Sequence, residues 1–144
     1  MDKTVLEDYD ALITEQNDLS ERIARAEYQV RRLSHSVVAD SVEGTREDGT
    51  YGPIKIKGVP VPAYTKELLK LEKKRTRYQI LQLEISAMTE AIENDIFQVK
   101  DPQIRTILRL RYIDRKTWEQ VGRSIRKSPD QCRMAVNRFF EKKT

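Results

Sequence analysis

The chain reads TWEQVGRSIRKSPDQCRMAVNRFF from Thr117 to Phe140. Thr117 with Gln120, and Ser128 with Gln131, both have the spacing of a capping box, in which a hydroxyl residue and a glutamine three positions on satisfy each other's backbone N–H. Apolar residues follow each cap at helical spacing, and the two caps lie 11 residues apart. The stretch therefore predicts two short helices joined by a tight turn.

A third helix precedes this pair. Asp101 and Pro102 have the order of an N-cap residue followed by proline at the first helical position. Asp114 to Lys116 then interrupt the helical pattern. Gly122 has no side chain, which allows another helix to pass close to the second helix. Three short helices with a tight turn before the last predict a helix-turn-helix head over residues 101–144.

The net charge is concentrated in this predicted head. The chain carries a net charge of +4, yet residues 101–144 hold 12 basic and 5 acidic residues, a net of +7. A compact basic block is typical of nucleic-acid-binding surfaces, because contacts to phosphates supply most of the non-specific affinity. A solvated surface beside an acidic partner is the competing interpretation.

The third helix of the head would present its outer face to DNA. Arginine can bind a guanine edge through two hydrogen bonds, and glutamine or asparagine an adenine edge. We therefore predict that bases are read by Gln131, Arg133 and Asn137. Phosphate contacts, which set position rather than sequence, are predicted for Arg115, Lys116, Thr117, Arg126, Lys127, Arg138 and Lys142.

The first hundred residues are predicted to form a long antiparallel helical hairpin. Residues 3–37 carry a coiled-coil seam sustained for more than four heptads, and residues 65–99 carry a second apolar stripe. Neither helix can bury its stripe alone, so each is expected to cover the other. A parallel coiled coil between two chains is the alternative, and a dimer of hairpins would satisfy both.

The connector over residues 38–64 is too long to be an ordinary loop in a compact protein. Pro53 to Gly58 alternates like a strand. A small β-hairpin at the coiled-coil tip, pairing this strand with residues 37–42, is one expectation, with the next helix beginning near Thr65. A surface loop is the other.

The head resembles a known family. Residues 107–122 are similar to the helix-turn-helix of sigma-70 region 4, with a leucine-arginine-tyrosine run, an acidic turn and a capped helix carrying glutamate. The whole chain resembles the small phage and prophage regulators of Gram-positive bacteria related to the ArpU and RinA late-gene activators. The resemblance implies a coiled coil followed by a DNA-binding head, and it implies regulation of late or packaging genes.

The same resemblance implies which positions face DNA: Ser128, Gln131, Arg133 and Asn137. One feature departs from the family. Region 4 heads usually have leucine and glycine at the turn, whereas this chain has Ile125 and Arg126. The turn must therefore be formed by a residue that carries a Cβ atom.

Three functions remain open at this point. The first is a sequence-specific transcription regulator that binds double-stranded DNA. It needs a homodimer, which we expect to form through the coiled coil, or RNA polymerase as partner, because one helix-turn-helix reads only a half-site. The second is a packaging subunit similar to a small terminase, which would assemble into a ring. The third is a protein-interaction module that docks on RNA polymerase or another regulator.

Composition argues against other classes. The sequence shows no nucleophile–base pair, phosphate-binding glycine loop or metal-ligand cluster, so we expect no enzyme and no cofactor. His35 and Cys132 are the only histidine and cysteine, and they cannot form a metal site or a disulfide by themselves. With no long apolar run and no apolar leader, we expect a cytoplasmic protein without a membrane partner. The family resemblance implies that this cytoplasm is that of a bacterial host.

Overall fold

The structure, a computed structural model, describes residues 1–42 and 61–143, with side chains described for residues 1–35 and 62–142. The described secondary structure is entirely helical and includes no strand, which confirms the predicted all-α class for this part of the chain. Its elements are α1 (Lys3–Val42), α2 (Val61–Phe97), α3 (Pro102–Leu108), a π-helical segment (Arg109–Ile113), α4 (Trp118–Ile125) and α5 (Pro129–Lys143).

The two long helices extend further than the sequence pattern predicted. Because α1 contains no glycine or proline, it continues as a helix to Val42, and the strand expected over residues 37–42 is wrong. α2 begins at Val61 rather than near Thr65, since a proline such as Pro62 is tolerated in the first turn of a helix. The other strand of the expected hairpin, Pro53 to Gly58, lies outside the described residues.

The chain divides into two compact units. The first comprises Met1–Thr14 and Gln82–Thr144, and the second comprises Glu15–Leu81. The predicted head, residues 101–144, belongs to the first unit together with one end of α1 and one end of α2.

The first unit is built around a single apolar core. The three short helices contribute Ile107, Leu108, Val121, Cys132 and Val136, each at most 1% exposed. The ends of the long helices complete the same core with Leu6, Tyr9, Ile92 and Ile96. The Tyr9 hydroxyl pairs with the Thr89 hydroxyl at 2.8 Å, and the Met1 amino group lies 3.3 Å from the Asp95 carboxylate.

The second unit is held mainly by buried leucines. Leu19, Leu71 and Leu81 are at most 9% exposed. Two ion pairs join α1 to α2 at the surface of this unit, Arg75 with Glu27 at 3.1 Å and Arg77 with Glu15 at 3.3 Å. Such exposed pairs contribute little, at most about 1 kcal/mol each. The apolar contact therefore dominates the stability of the unit.

The segment that follows α3, Arg109–Ile113, is a π-helix, whereas the sequence pattern predicted an α-helix. The Asp114 N–H donates to the Arg109 carbonyl five residues earlier, at 3.0 Å. Arg115 then takes a left-handed backbone conformation with φ 56°, which ends the helix. The predicted interruption from Asp114 to Lys116 is confirmed.

We predict that Leu6→Ala destabilises the first unit by about 2–5 kcal/mol, because Leu6 is fully buried in the core of α3 to α5. The measurement is the urea midpoint of unfolding, followed by circular dichroism. Val5→Ala is the matched control, since Val5 is 36% exposed and should change stability by less than about 1 kcal/mol. Equal effects of the two substitutions would contradict this prediction.

Candidate nucleic-acid interface

Local hydrogen bonds define where α4 begins. Thr117 has an extended backbone, and its hydroxyl accepts from the Gln120 N–H at 3.2 Å. The Gln120 side-chain oxygen accepts in return from the Thr117 N–H at 3.0 Å. The capping box predicted from the sequence is confirmed, and two otherwise unsatisfied donors of the first turn are paired.

The turn after α4 depends on a left-handed arginine. Arg126 has φ 60° and ψ 44°, and the N–H groups of Arg126 and Lys127 both donate to the Gly122 carbonyl. A glycine would adopt this conformation without strain, whereas for a residue with Cβ the left-handed conformation costs about 1–2 kcal/mol. The turn expected at Ile125–Arg126 is thus formed by a Cβ-bearing residue, as the departure from the family pattern requires.

Gly122 allows the chain to fold back on α4. A Cβ atom at this position would collide with the carbonyl oxygen of Lys127, and it would lie 3.4 Å from the Pro129 nitrogen. The obstacle is backbone and cannot rotate away. The close approach predicted at Gly122 is confirmed, although its neighbour is the turn itself and not the body of another helix.

A second reciprocal cap starts α5. The Ser128 hydroxyl accepts from the Gln131 N–H at 3.1 Å, and the Gln131 side-chain oxygen accepts from the Ser128 N–H at 3.0 Å. Pro129 occupies the first helical position. Two of the four predicted base-reading residues, Ser128 and Gln131, therefore also define where α5 begins. The capping hydrogen bonds hold their side chains in place without a ligand.

Exposed cations surround the turn between α4 and α5. Arg123, Arg126 and Lys127 line one shallow depression with Ser128, Gln131 and a single acidic residue, Glu119. The Lys127 ammonium also donates to the Gln103 side chain at 3.2 Å. We call Arg123, Arg126 and Lys127 the turn cations. Arg123 was missed in the sequence analysis, and its spacing of three residues before Arg126 was the available signal.

The other two predicted base readers lie one to two turns into α5. Arg133 is exposed and forms an ion pair with Asp130. The Asn137 side-chain oxygen accepts from the Lys3 ammonium at 3.2 Å. Both line a cleft that also contains Glu7 and Asp10 of α1. The structure thus places an acidic stretch of α1 beside this part of the helix.

The remaining predicted phosphate contacts fall in different places. Arg115 pairs with the Asp10 carboxylate at 3.1 Å and donates to the Thr14 hydroxyl at 3.2 Å. The carbonyl of Lys116 accepts from Arg111 at 2.9 Å. Arg138 and Lys142 line a separate cleft near the start of α3. Of the predicted set, only Arg126 and Lys127 share the depression with Ser128 and Gln131.

Trp118 and Cys132 of the head have structural roles. The Arg111 guanidinium lies 4.9 Å from the centroid of the Trp118 ring, a cation–π contact inside the fold. Burial raises the pKa of the Cys132 thiol, and the side chain is fully buried. Cys132 belongs to the core, and Trp118 packs against it. Met134 differs, being 50% exposed on α5.

Neither a metal site nor a membrane span is seen in the parts that the structure describes. Among the side chains of residues 1–35 and 62–142, no group of three or more histidine, cysteine, aspartate or glutamate residues is placed to hold a metal ion. Within the same ranges, no helix is long and apolar enough to cross a membrane.

Comparison of the chain with protein-family models, with curated proteins and with solved structures gives no significant match.

We predict that Gly122→Ala lowers the free energy of unfolding by about 1–3 kcal/mol, because the added methyl group forces the turn away from α4. Alanine is the better helix former by about 1 kcal/mol. If the variant is instead more stable, the turn has moved aside to accommodate the methyl group and the prediction is wrong. The measurement is chemical denaturation of the full chain.

Arg126→Gly should have the opposite sign. Removing Cβ from the left-handed position relieves backbone strain, and we expect a gain of up to about 1 kcal/mol after the entropy of the unfolded chain is counted. Arg123→Gly is the control, because Arg123 lies within α4 and glycine there should cost about 1 kcal/mol. Destabilisation by both substitutions would contradict the strain at Arg126.

Proposed function

We propose that the protein is a sequence-specific DNA-binding transcription regulator in which α4 and α5 form a helix-turn-helix and α5 enters the major groove. The observation that carries this proposal is the α4–α5 corner. Two capping boxes, the close contact at Gly122 and the left-handed Arg126 hold the two helices, and three exposed cations flank the N-terminus of α5. Helix N-termini and exposed cations both favour phosphate.

The geometry supports separate roles in base reading and phosphate binding for two groups of residues on this surface. Ser128 and Gln131 are held at the start of α5, where residues of a recognition helix reach base edges. The turn cations lie beside them and are placed to contact the flanking phosphates. Arg133 and Asn137 extend the readout if their contacts to Asp130 and Lys3 exchange for contacts to bases.

We infer that α1 and α2 form the antiparallel coiled-coil hairpin expected from their heptads. In the second unit, Glu15 and Glu27 of α1 pair with Arg77 and Arg75 of α2, so the residue numbers rise along one helix and fall along the other. In the first unit, Met1 and Tyr9 contact Asp95 and Thr89 in the same sense. These contacts support an intramolecular hairpin.

The biological setting of the proposal rests on the family resemblance of the head. We propose a regulator of phage or prophage late or packaging genes, which acts as a homodimer or together with RNA polymerase. A helix-turn-helix reads only a half-site, and a second protein surface is needed for a full operator. Binding and not catalysis is the proposed activity.

The experiment that tests the proposal is fluorescence anisotropy with tiled duplexes from the DNA that flanks the gene, with scrambled duplexes as controls. We expect one tile to bind at least about a thousandfold more tightly than the scrambles at physiological salt. If all tiles bind equally and binding disappears as the salt concentration rises, the head binds DNA only through its charge and without sequence specificity. The protein-interaction function would then be favoured, and closed rings of subunits would favour packaging.

Two substitutions should separate base reading from phosphate binding. Arg133→Ala is expected to cost about 1–3 kcal/mol on the preferred duplex and to relax sequence preference, because a base contact is lost. Arg126→Ala should weaken all duplexes similarly and reduce the slope of log affinity against log salt by about one. Arg25→Ala, an exposed arginine of the second unit, is the control with no expected effect. Equal losses on preferred and scrambled DNA for Arg133→Ala would refute its assignment.

A further inference from the structure

α2 carries apolar residues on two opposite faces. Its inner face is buried and includes Leu71, Leu81, Ile92 and Ile96. Its outer face is exposed, with Ile80 at 60% and Leu83 at 74%. Thr76 and Ala87 continue this outer stripe at spacings of four residues, which places all four side chains on one side of the helix. The inner face is explained by the packing of α2, and the outer face is not.

Charge is distributed unevenly along the same helix. Residues 66–77 hold six basic and two acidic side chains, whereas residues 84–95 hold four acidic side chains and no basic one. The exposed stripe of Ile80 and Leu83 lies between these two regions. α2 thus has a basic half and an acidic half on either side of an exposed apolar centre.

We propose that the outer face of α2 binds the same face of a second copy of this chain, with the two helices antiparallel about a two-fold axis between Leu81 and Gln82. Ile80 then packs against the partner's Leu83, and Thr76 packs against the partner's Ala87. The same register sets Lys73 opposite the partner's Glu90, and it places Arg77 two residues along the helix from the level of the partner's Glu84. The two-fold axis repeats every contact, so each pair occurs twice.

Self-complementarity is the reason for choosing a second copy as the occupant. An antiparallel arrangement brings each basic half against an acidic half, and a parallel one would bring basic against basic and acidic against acidic. Lys73, Glu84 and Glu90 are all exposed. Arg77 remains 68% exposed while it pairs with Glu15 of its own chain, so its guanidinium is accessible. The proposal does not rest on DNA binding, although a two-fold dimer would supply a second head.

The test is sedimentation equilibrium of the full chain over a range of micromolar concentrations. We expect a species of twice the 16.9 kDa chain mass that dissociates reversibly. Leu83→Glu should raise the dimer dissociation constant at least about tenfold, because it places two charges in the apolar centre. Gln82→Glu is the matched control, since Gln82 is exposed on the same helix and points away from the face that carries Leu83.

A charge exchange tests the register and keeps the experiment independent of apolar packing. Lys73→Glu alone and Glu90→Lys alone each bring like charges together twice, and each should weaken the dimer about threefold to tenfold. The double variant restores opposite charges and should return the dissociation constant to within about twofold of the original. Circular dichroism of each variant verifies that the helices remain folded.

Orientation is tested by cross-linking. Proteins carrying Lys73→Cys and Glu90→Cys should form a disulfide-linked dimer when mixed and oxidised, and much less when each is oxidised alone. A monomer at all concentrations would overturn the proposal. Closed assemblies larger than a dimer would also overturn it, as would a dimer insensitive to Leu83→Glu and to the charge exchange. Operator binding without dimerisation would leave the proposed function standing and refute only this interface.

Discussion

The burial of one shared apolar core is the constraint on which the candidate interface depends. α3 and α4 have only 7 and 8 residues, and helices of that length are not stable in water by themselves. They persist because Ile107, Leu108 and Val121 are buried together with Val136 of α5. Leu6 and Tyr9 of α1 belong to the same core. The position of the basic surface therefore depends on the N-terminal residues of α1 as well as on α3, α4 and α5.

The backbone of the turn between α4 and α5 then defines how these two helices meet. Gly122 leaves room for the Lys127 carbonyl, and Arg126 turns the chain through a left-handed conformation. Each feature restricts the sequence for a different reason, the first through contact distance and the second through backbone strain. Together they set where α5 begins, and so where Ser128 and Gln131 lie. A corner held in this way presents its polar side chains with little freedom left to lose on binding.

Charged side chains have three distinct effects in this chain. In the head, cations collect at the turn between α4 and α5, which suits a polyanionic ligand. Along α2, basic and acidic side chains are separated into two halves around exposed apolar residues, which suits a second copy of the same helix. The acidic stretch of α1 has a third effect, because Asp10 already engages Arg115. Arg115 is thus less available to phosphate than its position in the sequence indicates.

Caps and apolar spacing are local signals, so the sequence alone predicts the helical class and the starts of α3, α4 and α5. Asp101, Thr117 and Ser128 are identified as caps from a few neighbouring residues. The sequence pattern misjudged residues 37–42, where a helix without glycine or proline simply continues. Only the folded chain shows that α1 enters the core beside α5 and that Arg115 and Asn137 contact α1. Those arrangements depend on contacts between residues far apart in the chain, and no local pattern records which distant side chains share a core.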